Sequence, residues 1–217
     1  APVQAAWWGH PTTTGMPTVD YYLGLDVELP DANSQYTEQL VRFEHMSTAP
    51  YAPSPEGPPV ELPLSTFGIP ALCSPSGGPN VYMVLGRLFK IHPDFESLVF
   101  DVLERDECGV VALISEKVGG WNDKLWERMR GRHEARVKEG SQDVLERVRF
   151  VSYWNYVHVL SHASCILDTY PYGGCLTAQE AMSNGKVVVT LPGPYVRGRF
   201  TKGLYEQMGE AEASGGW

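Results

Sequence analysis

From Asn80 onward, short apolar runs alternate with segments of helical period along this 217-residue chain. Asn80–Leu85, Gly109–Ile114, Val148–Val151, Cys165–Asp168 and Lys186–Leu191 read as strands, each too short for a helix of the same hydrophobicity. Between them, Pro93–Arg105 places Phe95, Leu98, Val99, Val102 and Leu103 on one helical face. Trp121–Lys138, Tyr153–His162, Thr177–Asn184 and Arg199–Met208 complete the helices. Regular strand–helix alternation predicts a parallel sheet wound with helices on both faces.

The N-terminal third of the chain is less regular. Val3–Trp8 reads as a buried strand, and the glycine, histidine and proline of Gly9-His10-Pro11 end it. Asp20–Leu25 reads as a second strand, and Asp31–Leu40 has helical spacing after a Pro-Asp start. Thr48–Pro79 is rich in Pro, Ser and Gly and reads as a long connection. The expected division is therefore 1–78 and 79–217.

Charge and composition narrow the classes. Lys and Arg number 17 against 26 Asp and Glu, a net charge of −9, which argues against a nucleic-acid partner. No apolar run approaches the roughly 20 residues that cross a bilayer, and Ala1–His10 lacks the pattern of a signal peptide. Cys73, Cys108, Cys165 and Cys175 have neither metal-ligand nor disulfide-framework spacing. The expectation is a cytoplasmic or nucleocytoplasmic protein with no metal and no membrane partner.

In wound parallel sheets, ligands sit beyond the carboxyl ends of the strands. Lys90 follows the strand at Asn80 and is placed to meet a diphosphate, or is a solvated lysine. In Asp168-Thr-Tyr-Pro-Tyr-Gly-Gly-Cys-Leu-Thr-Ala-Gln-Glu180, Gly173-Gly174 allows close backbone approach, and a helix start offers amides to an anion. Thr177 and Glu180 fit two patterns equally. One is a capping box; the other is a phosphate hydroxyl with a ribose-binding carboxylate. His10 is a candidate acid–base or a turn residue, and Thr12-Thr13-Thr14 a sugar contact or a turn tie. Arg197 and Arg199 precede the last helix, as phosphate partners or surface charges. Tyr156 is a base-stacking residue or a core aromatic.

Taken in order, these segments resemble one family. Ala1-Pro-Val-Gln4, Gly9-His-Pro-Thr-Thr13, Val19-Asp-Tyr-Tyr22, Tyr36-Thr-Glu-Gln-Leu-Val-Arg42, Leu88-Phe-Lys-Ile-His-Pro-Asp-Phe95, Asp168-Thr-Tyr-Pro-Tyr-Gly-Gly174 and Thr190-Leu-Pro-Gly193 carry the likeness. They are similar to the catalytic region of the SPINDLY-type O-GlcNAc transferases, with features of the bacterial N-glucosyltransferases that modify adhesins. The resemblance implies a GT-B architecture: a C-terminal Rossmann-like sheet at 79–217, and at 1–78 the remnant of a first, acceptor-side Rossmann-like domain. It implies inverting, metal-independent transfer from a UDP-sugar to Ser or Thr of a protein acceptor, with GlcNAc as the expected sugar and glucose or fucose as alternatives. Lys90 would meet the diphosphate, Thr177 and Gly174 the phosphate turn, Glu180 the ribose and Tyr156 the uracil. Arg87 stands where the family has a glutamine near the diphosphate. Cys175-Leu176-Thr177 stands where it commonly shows His-Thr-Thr, so one hydroxyl is replaced. His10 matches a histidine of the adhesin-modifying branch and is the catalytic candidate. The family's first domain starts upstream of Ala1 and its closing helices lie beyond Met208. The chain is thus expected to be a fragment, and a non-catalytic nucleotide- or partner-binding module is the alternative function.

Overall fold

The computed structural model describes residues 1–46, 62–70, 78–117, 119–137 and 143–209. Most of the expected Thr48–Pro79 connection, Cys73, Lys138 and the C-terminal Gly215-Gly216-Trp217 lie outside the described residues.

Two parallel sheets organise the chain. Strands β1 (Ala5–Trp7), β2 (Tyr21–Leu25) and β3 (Gln39–Phe43) form the first, in that order. Strands β4 (Asn80–Val84), β5 (Gly109–Ile114), β6 (Val148–Val151), β7 (Ala163–Leu167) and β8 (Val188–Val189) form the second, in the order β6-β5-β4-β7-β8. All pairings are parallel. The chain leaves β4 in one direction through β5 and β6, then returns to β4's other side at β7. That reversal is the switch point at which such sheets open a crevice.

The helices are α1 (Pro93–Arg105), α2 (Trp121–Arg136), α3 (Tyr156–His162), α4 (Leu176–Ser183) and α5 (Phe200–Gln207). The two-residue strand period sorts side chains between the faces of the second sheet. Val84, Val111 and Leu113 pack with Phe95, Val99, Phe100 and Leu103 of α1 and Leu125 and Met129 of α2. Val81, Met83, Val110 and Ala112 pack with Val159 and Leu160 of α3 and Ala181 of α4. On α1 the buried face includes Phe100, and Leu98 points out at 42 % exposure. Glu96 is buried on α1, where Arg128 and Arg132 of α2 pair with it at 2.6 and 3.2 Å.

A third core joins the two sheets. Trp8, Tyr22, Leu25, Val27 and Met46 pack against Ala178, Val196, Phe200 and Leu204. Phe200 and Leu204 are one helical turn apart on α5, so one face of that helix serves as the joint. Gly203 lies between them: a β-carbon there would sit 3.2 Å from Met46 Sδ and from Val27 Cγ2. Arg199 adds a polar tie, donating to the Val27 carbonyl at 2.6 Å and the Gly193 carbonyl at 3.0 Å.

Three expectations change. The strand expected at Val3–Trp8 is three residues long and lies at a sheet edge, so Trp7 is 59 % exposed while Trp8 turns into the third core. Helical spacing over Asp31–Leu40 gives only a 3-10 turn at Ala32–Gln35, followed by β3. Residues 39–43 pair along the whole of β2, and that ladder overrides a local period carried by poor helix formers such as Asn33 and Ser34. The last strand shrinks to Val188–Val189; the amide and carbonyl of Val188 bond the Tyr205 hydroxyl of α5 at 2.9 and 3.0 Å instead of a further strand.

Candidate functional site

At the carboxyl ends of β4, β5, β6 and β7 lies a cavity of about 560 Å³. That volume is within the range of small-molecule sites. Its walls include Arg87 and Lys90 after β4, Ser115 and Glu116 after β5, Tyr153, Trp154 and Tyr156 after β6, and Thr177 and Glu180 of α4. Five residues proposed from the sequence, Arg87, Lys90, Tyr156, Thr177 and Glu180, therefore meet in one space.

Lys90 ends a 3-10 turn at Leu88–Lys90, which aims it across the sheet ends. Its ammonium donates to the Gly173 carbonyl at 3.0 Å and sits 3.8 Å from the centre of the Tyr172 ring. Burial lowers its pKa, and the negative charge of Asp168 opposes that shift.

The turn before α4 is built for close approach. A β-carbon on Gly174 would lie 2.6 Å from Thr177 Oγ1, and one on Gly173 would lie 2.7 Å from Asp168 Oδ2. Only glycine leaves the Thr177 hydroxyl over this turn. The capping-box reading is corrected here. Helix α4 starts at Leu176, its N-cap is Cys175, and the Cys175 side chain makes no capping hydrogen bond. Thr177 is thus inside the first turn and not at the N-cap position; ahead of the helix, the Gly174 amide donates to Asp168 at 2.6 Å. Glu180 accepts the Tyr156 hydroxyl, which ties α3 to α4 across the cavity floor.

Arg87 pairs with Glu116 at 2.5 Å, the arginine side chain 68 % exposed and the glutamate side chain 12 %. Glu116 is steadied by Asn122, whose amide oxygen takes the Glu116 backbone amide at 2.9 Å. Lys117 lies 4.0 Å over the Trp154 ring at the same mouth. Among the described residues, no group of three or more His, Cys, Asp and Glu is placed to hold a metal ion. No helix among them is long and apolar enough to cross a membrane.

No family model matches the chain. It is similar to a protein of Arabidopsis thaliana named as a probable UDP-N-acetylglucosamine–peptide N-acetylglucosaminyltransferase SPINDLY, at 32 % identity over 199 residues. The match covers 89 % of this chain and 20 % of that protein. The SPINDLY protein of Petunia hybrida is 31 % identical over 198 residues, with 89 % and 19 % covered. In the solved structure of a Thermobaculum terrenum O-GlcNAc transferase point mutant, 38 % of the chain superposes on 98 % of this one, with a TM-score of 0.73 and 29 % identity. Over the segment that matches, the chain is similar to the SPINDLY-type O-GlcNAc transferases. Its fold is the α/β, GT-B type of that structural neighbour. The chain spans about a fifth of the length of the curated relatives it matches.

The remaining expected residues lie outside the cavity lining, Gly174 among them. His10 is exposed beyond β1; its carbonyl accepts the Tyr22 hydroxyl at 2.6 Å. Arg197 stacks on Tyr195 at 4.2 Å, and its carbonyl accepts the Gly173 amide at 2.9 Å. Arg199 is committed to the Val27 and Gly193 carbonyls. The threonines after His10 tie the first sheet together: Thr13 Oγ1 donates to Glu38 at 2.7 Å, and the Thr14 amide and hydroxyl both donate to its other oxygen. Burial pushes the Glu38 carboxyl up, but these hydrogen bonds outweigh it and hold its pKa at about 2.

Sequence reasoning leaves Asp168 without a role. The structure makes it a hub. Its carboxylate accepts Gly174 N–H at 2.6 Å, Thr190 Oγ1 at 2.9 Å and Thr201 Oγ1 at 2.6 Å. The signal is present in the sequence: an acid directly after a buried apolar strand is costly unless several donors meet it. Glu116 escapes sequence reasoning because nothing in its local sequence says that the loop after β5 faces Arg87.

Proposed function

We infer that the chain is the donor-binding segment of a protein glycosyltransferase that holds a UDP-sugar in this cavity. The single observation that carries the reading is the convergence of Lys90, Thr177 and the Tyr156–Glu180 pair on one space, with Gly174 packed against the Thr177 hydroxyl. In this reading the diphosphate lies between the Lys90 ammonium and the first amides of α4, where the dipole favours an anion. Transfer leaves negative charge on the departing diphosphate, and these pre-placed donors stabilise it more than they stabilise the bound donor. They meet that charge in place of a metal. Glu180 exchanges the Tyr156 hydroxyl for the ribose hydroxyls, and Tyr156 borders the uracil.

We assign the reaction as inverting transfer to Ser or Thr of a protein acceptor, with GlcNAc as the sugar. The similarity to proteins named as N-acetylglucosaminyltransferases supports this choice of sugar. Residues 79–217 are the donor-binding region and residues 1–78 the acceptor-side region, a division supported by the membership of the two sheets. A second reading, a nucleotide-binding segment without turnover of its own, is favoured by the placement of His10 away from the cavity lining.

Calorimetric titration of the 217-residue chain with UDP tests the first step. Saturable binding that weakens at least tenfold in Lys90→Ala is expected; no binding, or binding indifferent to Lys90→Ala, refutes the donor site. Incubation with radiolabelled UDP-GlcNAc, UDP-glucose or GDP-fucose and a Ser/Thr peptide separates the two readings: label in the peptide supports transfer, and its absence despite UDP binding supports the second.

A further inference from the structure

We propose that Asp168 is the positioning residue of the donor site: it fixes the Gly173–Gly174 turn and, through that turn, the place and charge of the Lys90 ammonium. The inference rests on the reading of the cavity as a nucleotide site. Asp168 does not line the cavity and touches no ligand in this scheme; it acts through its neighbours.

Three observations point to this role. First, the carboxylate gathers donors from three separate segments. Gly174 N–H comes from the turn before α4, Thr190 Oγ1 from the stretch after β8, and Thr201 Oγ1 from α5, where Thr201 is 1 % exposed. Gly174 N–H can only donate, and both hydroxyls are free to do so, which suits an acceptor with no proton of its own. Second, the turn has no slack. A β-carbon at Gly173 would collide with Asp168 Oδ2, and one at Gly174 with Thr177 Oγ1. The position of Asp168 therefore sets that of the Gly173 carbonyl, which is the acceptor of Lys90 at 3.0 Å. Third, Lys90 is a half-buried cation. Facing it are Asp168 from the end of β7, and Tyr172 and Cys175 from the turn. Arg87, Glu116 and Glu180 line the same cavity. Burial raises the Cys175 thiol to about 11, so it is neutral near pH 7. Burial raises the Asp168 carboxyl, while its hydrogen bonds from Thr201, Gly174 and Thr190 and the charge of Lys90 oppose that shift; the charge of Asp168 in turn opposes the loss of the Lys90 proton.

Position and charge can be separated by experiment. Asp168→Asn keeps an oxygen for Gly174 N–H but removes the charge. Lys90, observed through its labelled side-chain methylene and assigned with Lys90→Arg, should then titrate at lower pH than in the wild type. UDP binding by calorimetry should weaken about tenfold near pH 7, and its alkaline loss should begin at lower pH. The uracil titrates in all variants alike, so the comparison is with Lys90→Ala, in which the lysine-dependent limb is absent. Thr201→Val keeps the charge and removes one tie. It should weaken UDP binding several-fold while leaving the Lys90 titration in place, and it stands in if Asp168→Asn does not fold. An unchanged Lys90 titration in folded Asp168→Asn, or wild-type UDP affinity in Thr201→Val, overturns the proposal. If the wild type binds no UDP, the donor-site reading fails, but the Lys90 titration still decides whether Asp168 sets its charge.

Discussion

Adding one methyl group at Gly174 tests how tightly the turn and Thr177 are coupled. The new β-carbon would lie 2.6 Å from Thr177 Oγ1, about 0.8 Å inside ordinary contact, and 3.4 Å from the Ala178 amide. The amide contact is tolerable, so the strain falls on the threonine. A helical threonine has two accessible side-chain rotamers, and rotation relieves the clash without moving the backbone. The cost is that of modest overpacking, about 1–3 kcal/mol, and the hydroxyl leaves the turn. Thr177→Ala removes the colliding atom, so Gly174→Ala should cost little in that background. Urea unfolding followed by circular dichroism, at constant m value, gives the four stabilities. A coupling energy of about 1–2 kcal/mol is expected, well outside the roughly 0.5 kcal/mol scatter of independent sites. UDP affinity should drop about tenfold in Gly174→Ala, or about 1.4 kcal/mol. Additive stabilities would refute the claim that the glycine exists to admit the hydroxyl.

The other predictions concern separate contacts. Glu180→Ala should weaken UDP binding about tenfold by calorimetry, whereas Tyr156→Phe should leave the carboxylate able to take the ribose and lower affinity less. Glu38→Gln should lose about 1.5–3 kcal/mol at neutral pH, the range for hydrogen bonds to a charged acceptor. Because the folded pKa is about 2 against an ordinary 4.5, the wild-type contribution is complete above about pH 4.5 and fades as pH falls toward 2. Urea midpoints between pH 3 and 6 should therefore fall more steeply for the wild type than for Glu38→Gln. Arg199→Ala should cost about 2–3 kcal/mol in urea unfolding by stranding the Val27 and Gly193 carbonyls. UDP affinity of the folded variant should stay within twofold of wild type.

Much of this could be read from residue order, because the relevant forces are local. The period of Phe95, Val99 and Leu103 marked α1, and the short apolar run Gly109–Ile114 read as a strand, as observed. Lys90, Thr177 and Glu180 stood out because a wound parallel sheet places whatever follows a strand at one end, so strand order and residue position together locate a cavity. Pairing decided the rest. Asp31–Leu40 has a helical period, yet β2 offered a full ladder of partners to residues 39–43, and the ladder prevailed. Thr177 has capping-box spacing, yet the helix starts one residue earlier, at Leu176, with Cys175 at the N-cap. Arg199 resembles a phosphate ligand in sequence, but its guanidinium donates to the nearby Gly193 carbonyl and to the distant Val27 carbonyl. Local periodicity thus determined which elements exist and roughly where they end. Only tertiary structure decided which buried donor meets which acceptor, since a hydrogen bond across 172 residues of chain, as from Arg199 to Val27, leaves no local trace.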